Sequence, residues 1–174
     1  MVILFSSRKN KQEKEIIEIL TKHGASYISD KSVIENNGSF TIISTYKRTE
    51  INLKNGIAVF IDDTERFENQ LFPIGIIGIC EDINHKALEI FRKSGIAVIS
   101  CGANLKNTIT LSSINDSGLL AVLQRTVTDN FGNEIDPSEF KIKLTKEYSS
   151  FSVMASVAVL LLNGIMPSEF WINL

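Results

Sequence analysis

The run IGIIGICEDINH, Ile74 to His85, constrains the fold more than any other part of the chain. Ile74 to Cys80 is apolar without alternation, the pattern of a strand buried on both faces. From Asn84 to Ser94 the apolar residues recur at helical spacing. Ala87, Leu88, Ile90 and Phe91 form one stripe, and Arg92 and Lys93 stand at the negative end of the helix dipole. Gly95 stops the helix, and Ile96 to Ser100 is again β-prone. Strand, helix and strand at this spacing predict a right-handed β-α-β unit with parallel strands. Such strands need cover on both faces, which commits the chain to an α/β fold.

The rest of the sequence fits around that unit. Val2 to Phe5 reads as a strand, and Lys11 to His23 reads as a helix with Ile16, Ile17, Ile19 and Leu20 on one side and Gly24 at its end. Between Tyr27 and Asp62 lie two Asn-Gly pairs, Asn37-Gly38 and Asn55-Gly56, with β-rich runs at Phe40 to Tyr46 and Ile57 to Ile61. Asn-Gly favours the positive φ of tight hairpin turns, so this stretch is expected to be a meander or a set of hairpins at a sheet edge. Asp62 to Phe72 is polar with a short helical tendency. After Gly102 the pattern predicts three antiparallel strands, Thr108 to Ile114, Leu119 to Thr128 and Phe140 to Leu144. Tyr148 to Leu162 is apolar nearly all round, as in a deeply buried helix. The expectation is one α/β domain over residues 1–174: a Rossmann-like sheet with a parallel β-α-β core, antiparallel strands and hairpins added to it, and helices packed on its faces.

Composition excludes several classes of function. The hydrophobic fraction is 44%, enough for a core and too high for a disordered chain. A net charge of −2 gives no basic surplus for a nucleic acid backbone. The apolar run Val153 to Leu162 is far short of the roughly 20 residues of a membrane helix. The start, MVILFSSRKN, has no basic region before its apolar residues and does not read as a signal peptide. Two cysteines cannot form a disulfide framework, and they read as reduced thiols. Together these suggest a cytoplasmic protein that engages neither nucleic acid nor membrane.

Candidate site residues gather where strands end. Cys80 and Cys101 each close a strand of the β-α-β unit, at the carboxyl edge where open α/β sheets bind ligands. Glu81, Asp82, Asn84, His85 and Gly102 share that rim, and Asp62 and Asp63 follow another strand. Two readings stand side by side. In one, Asp82 or Asn84 caps the helix and the small thiols pack. In the other, thiols, carboxylates and imidazole surround a small ligand. Two cysteines and one histidine also suffice for three metal ligands, but no CxxC or HxxxH spacing is present, so no metal site is assigned. Asp62 and Asp63 suit a cation or a ribose, or a plain strand end. The loop Ser6 to Lys11 follows the first strand and could meet an anion, although it lacks the glycines that wrap a phosphate. Neither a P-loop nor a dinucleotide fingerprint occurs anywhere. The tail, Pro167 to Leu174, carries Phe170 and Trp171 and suits either packing or a surface for a protein partner or a second copy in a homo-oligomer.

Residues 74–165 resemble the second half of the central domain of Mur ligases, the ATP-dependent amino-acid-adding enzymes of peptidoglycan synthesis. In that family a strand ends in an acidic pair, and Glu81-Asp82 stands there; the next strand runs into a glycine, matched by Gly102. The family's helix opening, His-Asn-x-x-Asn, aligns with Tyr148, Ser149 and Ser152, its paired alanines with Ala155-Ser156, and its Gly-Ile with Gly164-Ile165. The departures are the replaced His and Asn residues and the missing phosphate-binding loop. The resemblance implies a relative without the ATP-cradling machinery: a binding or regulatory protein for a nucleotide, a cell-wall precursor or another protein, or half of a site completed by a partner. No cofactor is assigned. The competing readings are a small enzyme built on Cys80, Cys101 and His85, and an interaction module using the C-terminal tail.

Overall fold

The computed structural model describes residues 1–62, 65–115, 118–144 and 146–165, with no side-chain description for residues 113–115. Asp63 and the tail 167–174 therefore lie outside the described residues, as does the turn at 116–117.

Among the described residues a ten-stranded sheet runs through the molecule. Its first strand, β1, is Val2–Phe5, and α1, Lys11–Lys22, follows it. Next come β2 (Ser26–Ile28), β3 (Val33–Ile34), β4 (Thr41–Thr45) and β5 (Gly56–Phe60). A 3-10 turn at Glu65–Phe67 leads to β6 (Ile76–Glu81), α2 (His85–Ser94) and β7 (Ala97–Cys101). The chain continues through β8 (Ile109–Asn115), β9 (Gly118–Leu123), β10 (Val127–Thr128), β11 (Glu134–Ile135) and β12 (Ser138–Lys143) to α3, Ser150–Leu162. The sheet order is β12-β9-β8-β7-β6-β5-β1-β4-β2-β3, while β10 and β11 form a separate small ribbon. All strands from β8 to β2 in that order are parallel, and β9 and β3 run against their neighbours.

The β-α-β unit is as expected: β6 and β7 are parallel neighbours with Cys80 opposite Ser100. Helix α2 starts at the cap Asn84 and ends at Gly95, whose φ of 66° is the left-handed conformation that favours glycine. Gly78 explains the small residue in the middle of β6. A Cβ there would lie 2.7 Å from the Phe91 ring, so glycine lets α2 settle onto the strand.

The stretch between β1 and β6 differs from the expected meander. β4 and β5 flank β1 and run parallel to it, joined by a crossover without a helix. One hairpin does form at the edge, β2–β3, but it turns at residues 29–32, where the Ser29 hydroxyl accepts from Lys31 N and Ser32 N. Neither Asn-Gly pair adopts positive φ. Gly38 is glycine for another reason: a Cβ would fall 1.9 Å from the Gly24 carbonyl oxygen, so two loops touch backbone to backbone. The run Leu119 to Thr128 is likewise two strands, because β10 leaves the main sheet to pair with β11.

Two cores form on the two faces. On one side α1 and α3 cover Val2, Leu4, Ile42, Ile57, Val59, Ile79 and Ile99. Every residue of α3 from Phe151 to Leu162 is buried, as its all-round apolar pattern requires. On the other side α2 and the segment before β6 enclose an aromatic cluster. Phe5 stacks on Phe60 at 4.7 Å between centroids, and Phe67 meets both edge-on. Edge-to-face and offset pairs of this kind add about 0.5–1.5 kcal/mol beyond their burial. Among the described residues no helix is long and apolar enough to cross a membrane.

Candidate functional site

Because β1, β5, β6 and β7 are parallel, their carboxyl ends form one rim, and α1 and α2 start from it. α3 reaches the same rim, since its first turn contacts Gln12 and Glu15 of α1. Three helix N-termini therefore point their partial positive charge at this edge.

At each of these N-termini one first-turn N–H is already taken by a capping acceptor from the chain. At α1, the Asn10 side chain accepts from Glu13 N at 3.2 Å. Ahead of it, the Asp62 carboxylate accepts from Ser7 N through both oxygens, at 3.0 and 2.9 Å, and from Asn10 Nδ2 at 3.2 Å. The loop between β1 and α1 thus closes on a carboxylate lying beyond the end of β5. Lys9 in this loop has a φ of 65°, a left-handed turn on a residue with a side chain. Arg8 leans over the Tyr46 ring at 5.9 Å. At α2, Asn84 accepts from Ala87 N at 3.0 Å. At α3, Ser149 Oγ accepts from Ser152 N, and Glu15 Oε2 accepts from Ser149 N at 3.0 Å. Glu15 carries two opposed influences. Burial pushes its carboxyl up, while the Ser149 amide, the Ser152 and Ser149 hydroxyls and the Lys11 charge together hold it below its usual range.

The acidic pair at the end of β6 is built in a similar way. Asp82 N donates to the Cys101 carbonyl at 2.9 Å, and the Asp82 carboxylate accepts from Asn107 Nδ2 at 2.7 Å. Gly102 makes room for this clamp, since a Cβ would lie 2.5 Å from Asn107 Nδ2 and 2.6 Å from the Asp82 carboxyl carbon. Glu81 is half-buried, and burial, followed by the Asp82 charge, raises its carboxyl above its ordinary value. Asp62 lies beyond β5 and Asp82 beyond its neighbour β6, so two carboxylates stand at this rim beside the Arg8, Lys9 and Lys11 charges of the loop.

The two cysteines end adjacent strands but do not meet at the rim. Glu81, and not Cys80, is opposite Cys101, so the thiols point to opposite faces of the sheet. Cys80 packs among the residues under α2, and Cys101 packs on the α1 and α3 side. Both are fully buried. Burial, then the Asp82 and Glu81 charges, push the Cys80 thiol up to about 12. Burial foremost also raises Cys101 well above its ordinary value. Such thiols stay protonated near neutral pH, and the thiolate is the reactive species. Asn84 is buried as a cap, and His85, the first residue of α2, is exposed beyond it. Among the described residues, no group of three or more His, Cys, Asp or Glu side chains could hold a metal ion.

The strand ends point directly to Glu81 and Asp82, but not to their partners. Asn107 binds Asp82 from a loop 25 residues further on. Glu15 looks like one more charge on an amphipathic helix, yet only 7% of it is exposed.

No family model matches the sequence, and no curated protein matches it. Solved structures do. The chain is similar to a UDP-N-acetylmuramoylalanyl-D-glutamyl-2,6-diaminopimelate–D-alanyl-D-alanyl ligase from Acinetobacter baumannii, with a TM-score of 0.55 and 11% identity over 95% of this chain and 43% of that one. It is also similar to a murein peptide ligase from Psychrobacter arcticus, with a TM-score of 0.57 and 8% identity over 94% of this chain and 44% of that one. A third is the UDP-N-acetylmuramate:L-alanyl-gamma-D-glutamyl-meso-diaminopimelate ligase from Neisseria meningitides, with a TM-score of 0.54 and 11% identity, covering 94% of this chain and 61% of that one. The chain has the α/β fold found in these Mur ligases. The likeness runs through nearly the whole chain, first half included, where the sequence motifs mark only residues 74–165. The chain spans less than half the length of the Acinetobacter and Psychrobacter enzymes.

Proposed function

We propose that this chain is a catalytically incomplete relative of the Mur ligase central domain that acts by binding, as a regulatory or carrier protein, and does not itself couple ATP to ligation. The observation that carries this reading is the Asp62 clamp. A phosphate at the loop after β1 would need backbone N–H donors and positive charge. Here Ser7 N and Asn10 Nδ2 donate to a carboxylate instead. The caps of α2 and α3 and the Asn107-bound Asp82 carboxylate occupy the neighbouring helix starts and strand end in the same way. Phosphoryl transfer depends on positioned phosphates and Mg²⁺, and the loop amide that would position the first is already taken by Asp62.

The fold relationship makes a cell-wall precursor the favoured ligand class, with the sugar or peptide portion at the rim near Glu81, Asp82 and His85. The alternative of a thiol enzyme loses support from the burial of Cys80 and Cys101. A thermal-shift panel of ATP, ADP and UDP-linked sugars, each with and without Mg²⁺, tests the proposal. A Glu81→Ala/Asp82→Ala variant runs in parallel. A ligand at about 100 times its Kd adds roughly 2.7 kcal/mol of stability, several degrees in Tm. The expected result is a shift with a UDP-linked precursor that the variant loses, and none with ATP or ADP. A shift with MgATP, or ADP release during turnover, overturns the reading.

A further inference from the structure

The two edges of the sheet are unlike. β12 carries exposed Glu139, Lys141 and Lys143 along its length, charges that discourage another strand from pairing. β3 at the other edge is Val33–Ile34, with Val33 73% and Ile34 39% exposed. An apolar row leads out to it across the strands. Ile3 is opposite Ile43, Ile43 opposite Ile28, and Ile28 opposite Val33. All four lie on the α2 side of the sheet, where Ile3 joins the aromatic core. α1 and α3 are on the other side, and α2 packs on β6 and β7, so no described helix covers the outer members Ile43, Ile28 and Val33. Exposure climbs along it, from 8% at Ile3 through 43% at Ile28 to 73% at Val33.

The outward-facing backbone groups of β3 can be assigned. Ser32 O accepts from Ser29 N, Asn36 N donates to Ser26 Oγ, and Ser26 Oγ donates to Asn36 O, so Ser32 and Asn36 face inward. By strand alternation, the N–H and C=O of Val33 and Glu35 face away from the sheet. We infer that β3 is a homodimer edge, where a second copy of this chain adds its own β3 in antiparallel register about a two-fold axis at Val33. The register follows from charge. With Val33 opposite its own counterpart, Lys31 of each copy is opposite Glu35 of the other, and both residues are exposed. Opposite charges directly across a pair favour it. Val33 then exchanges N–H···O bonds with its symmetry mate, and Glu35 N donates to the Lys31 carbonyl of the other copy. Lys31 N is already bound to Ser29 Oγ and asks for no partner. The two apolar rows become continuous across the axis. The contact is isologous, so it closes at two copies and does not propagate.

So short an edge makes a small interface, and the dimer is therefore weak and concentration-dependent. Sedimentation velocity on the full chain from micromolar to near-millimolar concentration tests it. The expected result is a monomer that converts to dimer over this range, with Kd raised at least tenfold, on the order of 1.4 kcal/mol, by Val33→Asp. Val33 is mostly exposed, so that variant should keep the circular dichroism spectrum of the parent. Carbodiimide coupling of mixed ¹⁵N-labelled and unlabelled chains reads the register, and a Lys31–Glu35 cross-link joining labelled to unlabelled peptide is expected. A monomer at every concentration overturns the inference. So does a dimer that Val33→Asp leaves unchanged, or one whose cross-links avoid this edge.

Discussion

Replacing Asp62 by alanine removes the acceptor that holds the loop after β1. The Asp62 carboxylate takes Ser7 N on both oxygens, at 3.0 and 2.9 Å, and Asn10 Nδ2 at 3.2 Å. Hydrogen bonds to a charged group contribute roughly 1.5–3 kcal/mol each, and these partners are half-buried, so the low end applies. Loss of both donors' partner gives about 3 kcal/mol. The Asn10 cap survives, because its Oδ1 bond to Glu13 N does not involve Asp62. In a chain of this length about 3 kcal/mol lowers Tm by roughly 6–12 °C. Thermal and urea unfolding followed by circular dichroism measure it, with exposed Asp30→Ala as a charge-matched control expected to stay within about 0.5 kcal/mol of the parent. Asp62→Asn keeps one acceptor oxygen and falls between the two. If Asp62→Ala is as stable as the control, the carboxylate does not close the loop.

Three further outcomes follow from the packing and the charges. Gly78→Ala drives a methyl to 2.7 Å from the buried Phe91 ring and should cost about 1–3 kcal/mol in urea unfolding, with Phe91→Leu recovering part of the loss in the double variant. Cys80 and Cys101 should resist a thiol reagent in the native state at neutral pH and both react at once in denaturant, because burial keeps the thiols protonated and shielded. Glu15, held below its usual range in the folded chain, contributes stability that is present above the unfolded carboxylate pKa and is lost as pH falls through the folded one. The acid limb of a stability-against-pH curve should therefore flatten in Glu15→Gln, which also weakens the bond to Ser149 N.

Local rules reached some of this architecture and not the rest. The strand β6, the helix α2 with its Asn84 cap, and α3 were legible because each is set by its own apolar period and its own end residues. The two Asn-Gly pairs misled because Gly38 answers to a close approach by Gly24 and Gly56 to the Met1 carbonyl, contacts set by tertiary structure and not by turns. The rim was half legible. Strand ends followed by acids pointed to Glu81, Asp82 and Asp62. Their clamps come from Asn107, Ser7 and Asn10, and the Asp62 bonds join residues more than 50 positions apart. A pattern read along the chain cannot pair them. The cysteines show the limit of strand counting: a register offset by one residue sends neighbouring thiols to opposite faces.

The loop after β1 is where the proposal stands or falls, and the Ser7 backbone amide reports on it directly. Its ¹H–¹⁵N resonance should be followed by NMR while MgATP is titrated into the intact chain to millimolar concentration. With Asp62 seated on Ser7 N, the resonances of Ser7 through Asn10 stay where they are. A saturable displacement of the Ser7 amide would mean that a phosphate takes the place of the carboxylate, and the chain would then be a nucleotide-binding relative with its loop intact.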